Sequence, residues 1–155
     1  MVEIIEYSHQ YASEFKGLNL EWLDKYHLTE GHDLEILNDP QGTIIDAGGA
    51  IYLAKIGNDI VGTASLMKEK EGFFELAKMA VTPQRQGKGI SKLLIEKCIN
   101  KAMELNATKI FLFSNHQLQT AIQLYRKFGF ENIDVTDSPF ATADVKMELQ
   151  LKKIT

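Results

Sequence analysis

Cysteine is almost absent. Cys98 stands alone in 155 residues, which excludes an internal disulfide and a cysteine-built zinc cage. Three prolines and eleven glycines leave no room for collagenous or low-complexity architecture. Long apolar runs are missing too. Leu93-Leu94-Ile95 and Ile110-Phe111-Leu112-Phe113 end far short of the ~18 residues a membrane-spanning helix requires, so no membrane partner is expected. Met1–Glu6 has neither the basic start nor the apolar stretch of a secretory leader. A reducing cytoplasm is therefore the expected compartment. Positive charge is not in excess either. Lysine and arginine number 17 against 21 acids, a net charge of −4, which argues against nonspecific nucleic-acid binding. His9, His27, His32 and His116 show no metal-ligand spacing, so no metal is expected.

What is present is ordinary for a globular chain: 45% hydrophobic and 25% charged residues. A chain of this length supports one core. No repeat or Ser/Gly-rich linker divides it, so residues 1–155 read as one domain. Val2–Tyr7 reads as a short edge strand. Phe15, Leu18, Leu20, Trp22, Leu23 and Tyr26 recur at helical spacing. His27 to Gly49 is acidic and irregular, with a short helix around Asp33–Leu37. From Ala50 the period becomes two. Ile51–Ile56, a turn at Gly57–Asp59, Ile60–Leu66, a turn at Glu71–Gly72, and Phe73–Val81 form an antiparallel meander. Ile90, Leu93, Leu94, Cys98, Ile99 and Ala102 then make one helical stripe. Ile110–Phe113 has the character of a central buried strand. Leu118–Phe128 reads as a helix stopped by Gly129, and Ile133–Val135 with Val145–Leu151 as a final strand pair. The sum is an α/β fold with a mixed sheet.

Between the third meander strand and the long helix lies Gln84-Arg85-Gln86-Gly87-Lys88-Gly89-Ile90. Glycines at such a turn let backbone approach a ligand, and the first helical N–H groups have no intrahelical partner. With the helix dipole they make an anion site. Lys78, Arg85, Lys88, Lys92 and Lys97 face a single acid, Glu96, over residues 78–97 of an otherwise acidic chain. A phosphate-rich ligand fits. It is not a dinucleotide fingerprint, because Lys92 stands where the third glycine belongs. Nor is it a P-loop, since the Gly-Lys pair lacks the upstream glycine and the following Ser/Thr.

Gln84-x-x-Gly87-x-Gly89, set between a strand and a helix, resembles the acyl-CoA-binding motif of the GNAT-type N-acetyltransferase superfamily. Ala121–Phe130, a helix bearing Tyr125 and closing on Gly129-Phe130, resembles that superfamily's second motif. The resemblance is specific from about Ala50 to Phe130. It implies an α/β fold with a mixed, mostly antiparallel central sheet flanked by helices on both faces, and acetyl-CoA as cosubstrate. It further implies that the turn from Gln84 to Ser91 serves the cofactor. Within it, amides of Gln86, Gly87, Lys88, Gly89 and Ile90 would hold the pyrophosphate. The main chain of Met79, Ala80 and Val81 would pair with the pantetheine arm, the Met79 N–H polarising the thioester carbonyl. Asn115 resembles the strand-end asparagine that meets the cofactor.

Tyr125 matches the superfamily's general acid, able to protonate a departing thiolate; read from spacing alone, it is a half-buried tyrosine on an amphipathic helix. Glu75 sits where some members keep a carboxylate base. Removing a proton from an alkylammonium of pKa about 10.4 at pH 7 needs such help, although a solvent-facing strand residue is the other reading. Glu30 and Asp33 are candidate acceptor-binding acids for a cationic amine, or else part of a solvated acidic loop. The expected activity is acetyl transfer from acetyl-CoA to a primary amine of a small molecule by direct attack, by a monomer or a homodimer. A CoA-binding sensor, an inactive homologue, and an enzyme acting on a protein amine are the alternatives.

Overall fold

The computed structural model describes residues 1–136, 138 and 141–151. Seven strands form one sheet: Val2–Glu6 (β1), Ala50–Ile56 (β2), Asp59–Lys70 (β3), Phe73–Val81 (β4), Lys109–Ser114 (β5), Glu131–Ile133 (β6) and Val145–Gln150 (β7). Their order is β1-β2-β3-β4-β5-β7-β6. Neighbours are antiparallel except β4 and β5, which run parallel across the helix between them. The helices are Ala12–Lys25 (α1), Gly31–Asn38 (α2), Ile90–Glu104 (α3) and Gln119–Lys127 (α4). No helix among the described residues is long and apolar enough to cross a membrane.

The two-residue period of the strands explains why both sheet faces are covered. In β2, Tyr52 and Ala54 join Ile90, Leu94, Ile95 and Cys98 of α3 in one buried cluster. The alternate residues, Ile51 and Leu53, join Phe15 of α1 and Ile36 and Leu37 of α2 in the other. Tyr125 and Ile122 place α4 in the α3 cluster. Cys98 is fully buried there, a small apolar side chain whose thiol desolvation pushes up to about 12. The run Ile110–Leu112 is buried between β4 and β7, as its composition predicts.

Three differences from the sequence reading exceed a single residue at an element's end. β3 extends to Lys70, because β4 offers it partners as far as Phe73. The last strand pair begins at Glu131 instead of Ile133. Gly129, with φ of +100°, ends α4 sharply, and buried Phe130 returns the chain to the sheet at once. Val135 lies beyond the pairing and is exposed. The third difference is α2, a full eight-residue helix inside the segment that composition marks as irregular. Its start is set locally: Asp33 Oδ2 accepts the Glu30 N–H at 2.9 Å.

Asp33 also fixes α2 to the sheet. Its Oδ1 meets the Lys78 ammonium of β4, and the two side chains are only 3% and 6% exposed. A buried pair repays its desolvation only while both partners are present. Asp33→Asn should therefore lower unfolding free energy by about 3–5 kcal/mol, read from urea denaturation. Glu35→Gln, on the exposed side of the same helix, should change it by less than about 0.5 kcal/mol.

Candidate functional site

β4 and β5 pair only at Phe73–Lys109, Phe74–Ile110 and Glu75–Phe111. Beyond Glu75 no further pair joins them. On its other side β4 carries a bulge. Its register against β3 moves from Ala77–Ser65 to Ala80–Thr63, so Lys78 and Met79 oppose Ala64 alone. Lys78 takes up the irregularity with φ of +50°, an uncommon conformation for a residue with a side chain. The result is a wedge between the strands, bordered by the main chain of the Met79 segment. A cavity opens into it, lined on one side by Met79, Ser114, Asn115, Leu118 and Tyr125 and on the other by residues of α1 and α2.

At the outer end of β4 the chain makes a short turn, Pro83–Arg85, and enters α3 through Gly87 and Gly89. Both glycines are left-handed, with φ of +78° and +80°. A methyl group added at either would meet nothing within 4 Å, so the main chain there borders open space. Gly89 is the N-cap and offers no side chain to the first-turn amides, which leaves those donors for an external acceptor. Arg85, Lys88 and Lys92 flank these glycines along the chain. Gln86 Nε2 donates to the Val81 carbonyl at 3.0 Å and ties the turn to the strand. Backbone donors and the start of the helix dipole thus coincide at this turn, with Ser91 next in the first turn of α3.

Inside the wedge, Tyr125 is 8% exposed and its ring packs on Phe130 at 5.9 Å. Burial raises the pKa of its hydroxyl, which keeps the proton in place until a stronger base arrives beside it. Glu75 points into the same cavity from β4. Desolvation pushes its carboxyl up to about 7, with Lys78 and Lys146 pulling it down and Glu69 raising it. A carboxylate poised near neutrality suits proton removal.

The remaining sequence candidates have other engagements. Asn115 donates from Nδ2 to the Thr142 carbonyl at 2.7 Å and accepts the Gln117 N–H at 3.0 Å; its side chain holds the loop before β7. Glu30 does not line the cavity. Its carboxylate accepts the N–H groups of Ala141 and Thr142, each at 3.0 Å. Partial desolvation opposes these bonds and the nearby His32, yet together they hold the carboxyl below its ordinary value. Asp33 does line the cavity, but against Lys78. Four lining residues were not singled out as site residues from sequence: Thr142 and Ala143 before β7, Met67 of β3 and Phe113 of β5. Nothing local in those residues signals a site; only strand register brings them there.

Residues 13–130 match the Acetyltransferase (GNAT) family. The chain is 32% identical over 114 residues to the uncharacterized N-acetyltransferase YvbK of Bacillus subtilis, covering 72% of this chain and 73% of that one. An acetyltransferase of the GNAT family from Staphylococcus aureus superposes with a TM-score of 0.89 at 25% identity, over 98% of this chain and 100% of that one. The PaiA N-acetyltransferase of Thermoplasma acidophilum, solved with coenzyme A, has the same fold, with a TM-score of 0.76 at 16% identity over 97% and 99% of the chains.

The raised Glu75 carboxyl has a thermodynamic signature. Between about 4.5 and about 7 the folded state keeps a proton that the unfolded chain releases, so this group's contribution falls as pH rises through that window. Glu75→Gln mimics the protonated form. Its melting temperature should match the parent's near pH 4, below the window, and exceed it at pH 8. A difference independent of pH would show that Glu75 titrates normally.

Proposed function

The chain belongs to the GNAT family of acetyltransferases, and we propose that it acetylates a primary amine of a small molecule by direct attack on acetyl-CoA. One observation carries the reading. The β4–β5 wedge brings a recessed Glu75, a buried Tyr125 and the bulged Met79 backbone to one cavity, beside a glycine turn open to a phosphate ligand. The residues fit the cosubstrate on that geometry: space over Gly87 and Gly89 for the pyrophosphate, and an unpaired stretch of β4 for an extended arm.

Bound there, the cosubstrate supplies a thioester carbonyl. The chain's own groups do the rest. Main-chain N–H groups of the Met79–Val81 segment hydrogen-bond the arm as an added strand would. The Met79 N–H lies where charge would gather on the carbonyl oxygen. Glu75, ionised above about pH 7, takes the ammonium proton directly or through a water. This leaves a neutral amine whose nitrogen forms the new C–N bond as the C–S bond breaks, and the second N–H proton, made acidic by that bond, leaves to water. Tyr125 gives its proton to the departing sulfur, whose conjugate acid has a pKa of about 8.5, well below that of a buried phenol. Proton transfer in that direction is uphill at equilibrium, so Tyr125 acts in the transition state and recovers its proton from solvent. Every step closes without a covalent acyl-enzyme.

Tyr125→Phe keeps the packing on Phe130 and removes the acid. Its kcat, measured by thiol release where chemistry limits the rate, should fall by ~10²–10⁴, with acetyl-CoA affinity unchanged. A wild-type kcat would reduce Tyr125 to a packing residue. Gly87→Val tests the cofactor turn: a side chain in the open space, at a left-handed φ, should abolish calorimetric CoA binding while circular dichroism stays native. Unchanged affinity would move the phosphate site elsewhere.

A further inference from the structure

The half of the cavity facing α1 and α2 is built mainly of carbon. Trp22, Leu23, Leu28, Ile36, Met67 and Phe113 supply its walls. Trp22 is held at the rim by packing on Tyr26, their ring centroids 5.2 Å apart. The polar groups that reach this half are largely matched within the protein. The Asp33 carboxylate lies against the Lys78 ammonium, both nearly inaccessible. Asn19 is 2% exposed and donates from Nδ2 to the Phe15 carbonyl at 2.9 Å. His32 Nδ1 lies 3.6 Å from Glu35 Oε2. Glu30, the other acid of α2's first turn, is turned away to Ala141 and Thr142. Among the described lining residues, Glu75 is the carboxylate left to meet a substrate's ammonium.

We propose that this pocket selects a primary amine borne on a single uncharged, apolar arm, aromatic or branched. The inference rests on the transferase reading above and names its acceptor class. An apolar arm gains by withdrawing its surface from water against these walls. A second ammonium, as in a polyamine, would be stripped of water with no unmatched acid to receive it. A carboxylate beside the amine, as in an α-amino acid, would find the Lys78 charge already matched by Asp33 and would lie near Glu75. Size agrees. The whole cavity, open on one side, has a volume of about 140 Å³ and must take the thioester end of the cosubstrate as well, which leaves an acceptor space suited to a small arm and not to an aminoglycoside.

Three amines separate the possibilities: phenethylamine; phenylalanine, which differs from it by one carboxylate; and spermidine, which carries further ammonium groups and no ring. Each is titrated into CoA-saturated wild-type protein by calorimetry and by the emission of Trp22, the one tryptophan of the chain. Phenethylamine should bind at least tenfold more tightly than either competitor and should shift Trp22 emission. Leu23→Ala should weaken phenethylamine about tenfold and leave acetyl-CoA affinity unchanged. Equal or tighter binding of spermidine or phenylalanine overturns the proposal, as does no detectable binding of phenethylamine. Acetylation of a lysine peptide but not of phenethylamine would also overturn it, while leaving the transferase reading intact. Loss of that broader reading would show separately, as failure of acetyl-CoA itself to bind.

Discussion

Where β4 leaves β5, main-chain groups that a continuous sheet would pair are left open to a ligand. The proposed site depends on that parting. The two strands hold one another only as far as Glu75 and Phe111, and the bulge at Lys78 and Met79 redirects β4 just beyond. Without it, the sheet would close over the wedge and the cavity would disappear. The bulge has a cost, a left-handed Lys78, and the structure offsets it by burying the lysine's ammonium against Asp33. Thus the ion pair that anchors α2 also holds the irregular strand.

That coupling changes what the acidic residues of the first half mean. By composition, Glu30 and Asp33 look like attractors for a cation. In the fold they are construction. One clamps the segment before β7, and the other serves as helix cap and counterion together. Their charges organise the cavity wall and then vanish from the cavity's electrostatics. What remains is a cavity with an apolar side toward α1 and α2 and a carboxylate in its wall.

Much of this was legible in the sequence, for stated reasons. The meander, the α3 stripe and the apolar run at Ile110–Phe113 announce themselves because each has a strong local period. The glycine turn is equally local: Gly87 and Gly89 both adopt φ angles that favour glycine. The true start of β6 was not legible, since it follows from how Gly129 and buried Phe130 end α4. The roles of Glu30 and Asp33 were hidden for a deeper reason. Their partners lie 111 and 45 residues away along the chain, at Ala141 and Lys78, and no periodicity records a contact of that range. The apolar side of the cavity was half visible. Trp22 and Leu23 belong to a recognisable helical stripe, but Met67 and Phe113 join them only through register.

The cavity's dryness ties the two proposed catalytic groups together. Desolvation raises the pKa of both Glu75 and Tyr125, yet the consequences for chemistry are opposite. For the carboxyl, a value near 7 makes a base strong enough to matter and still ionised in a useful fraction of molecules. For the phenol, the same burial ensures that it enters the reaction protonated. A wetter site would return the carboxyl toward 4.5 and make it a feeble base. A wholly apolar one would keep it protonated. Lys78 and Lys146, each lowering the Glu75 value, hold it between those limits. The acid and the base are therefore set by one variable, the exclusion of water, and trimmed by two lysines.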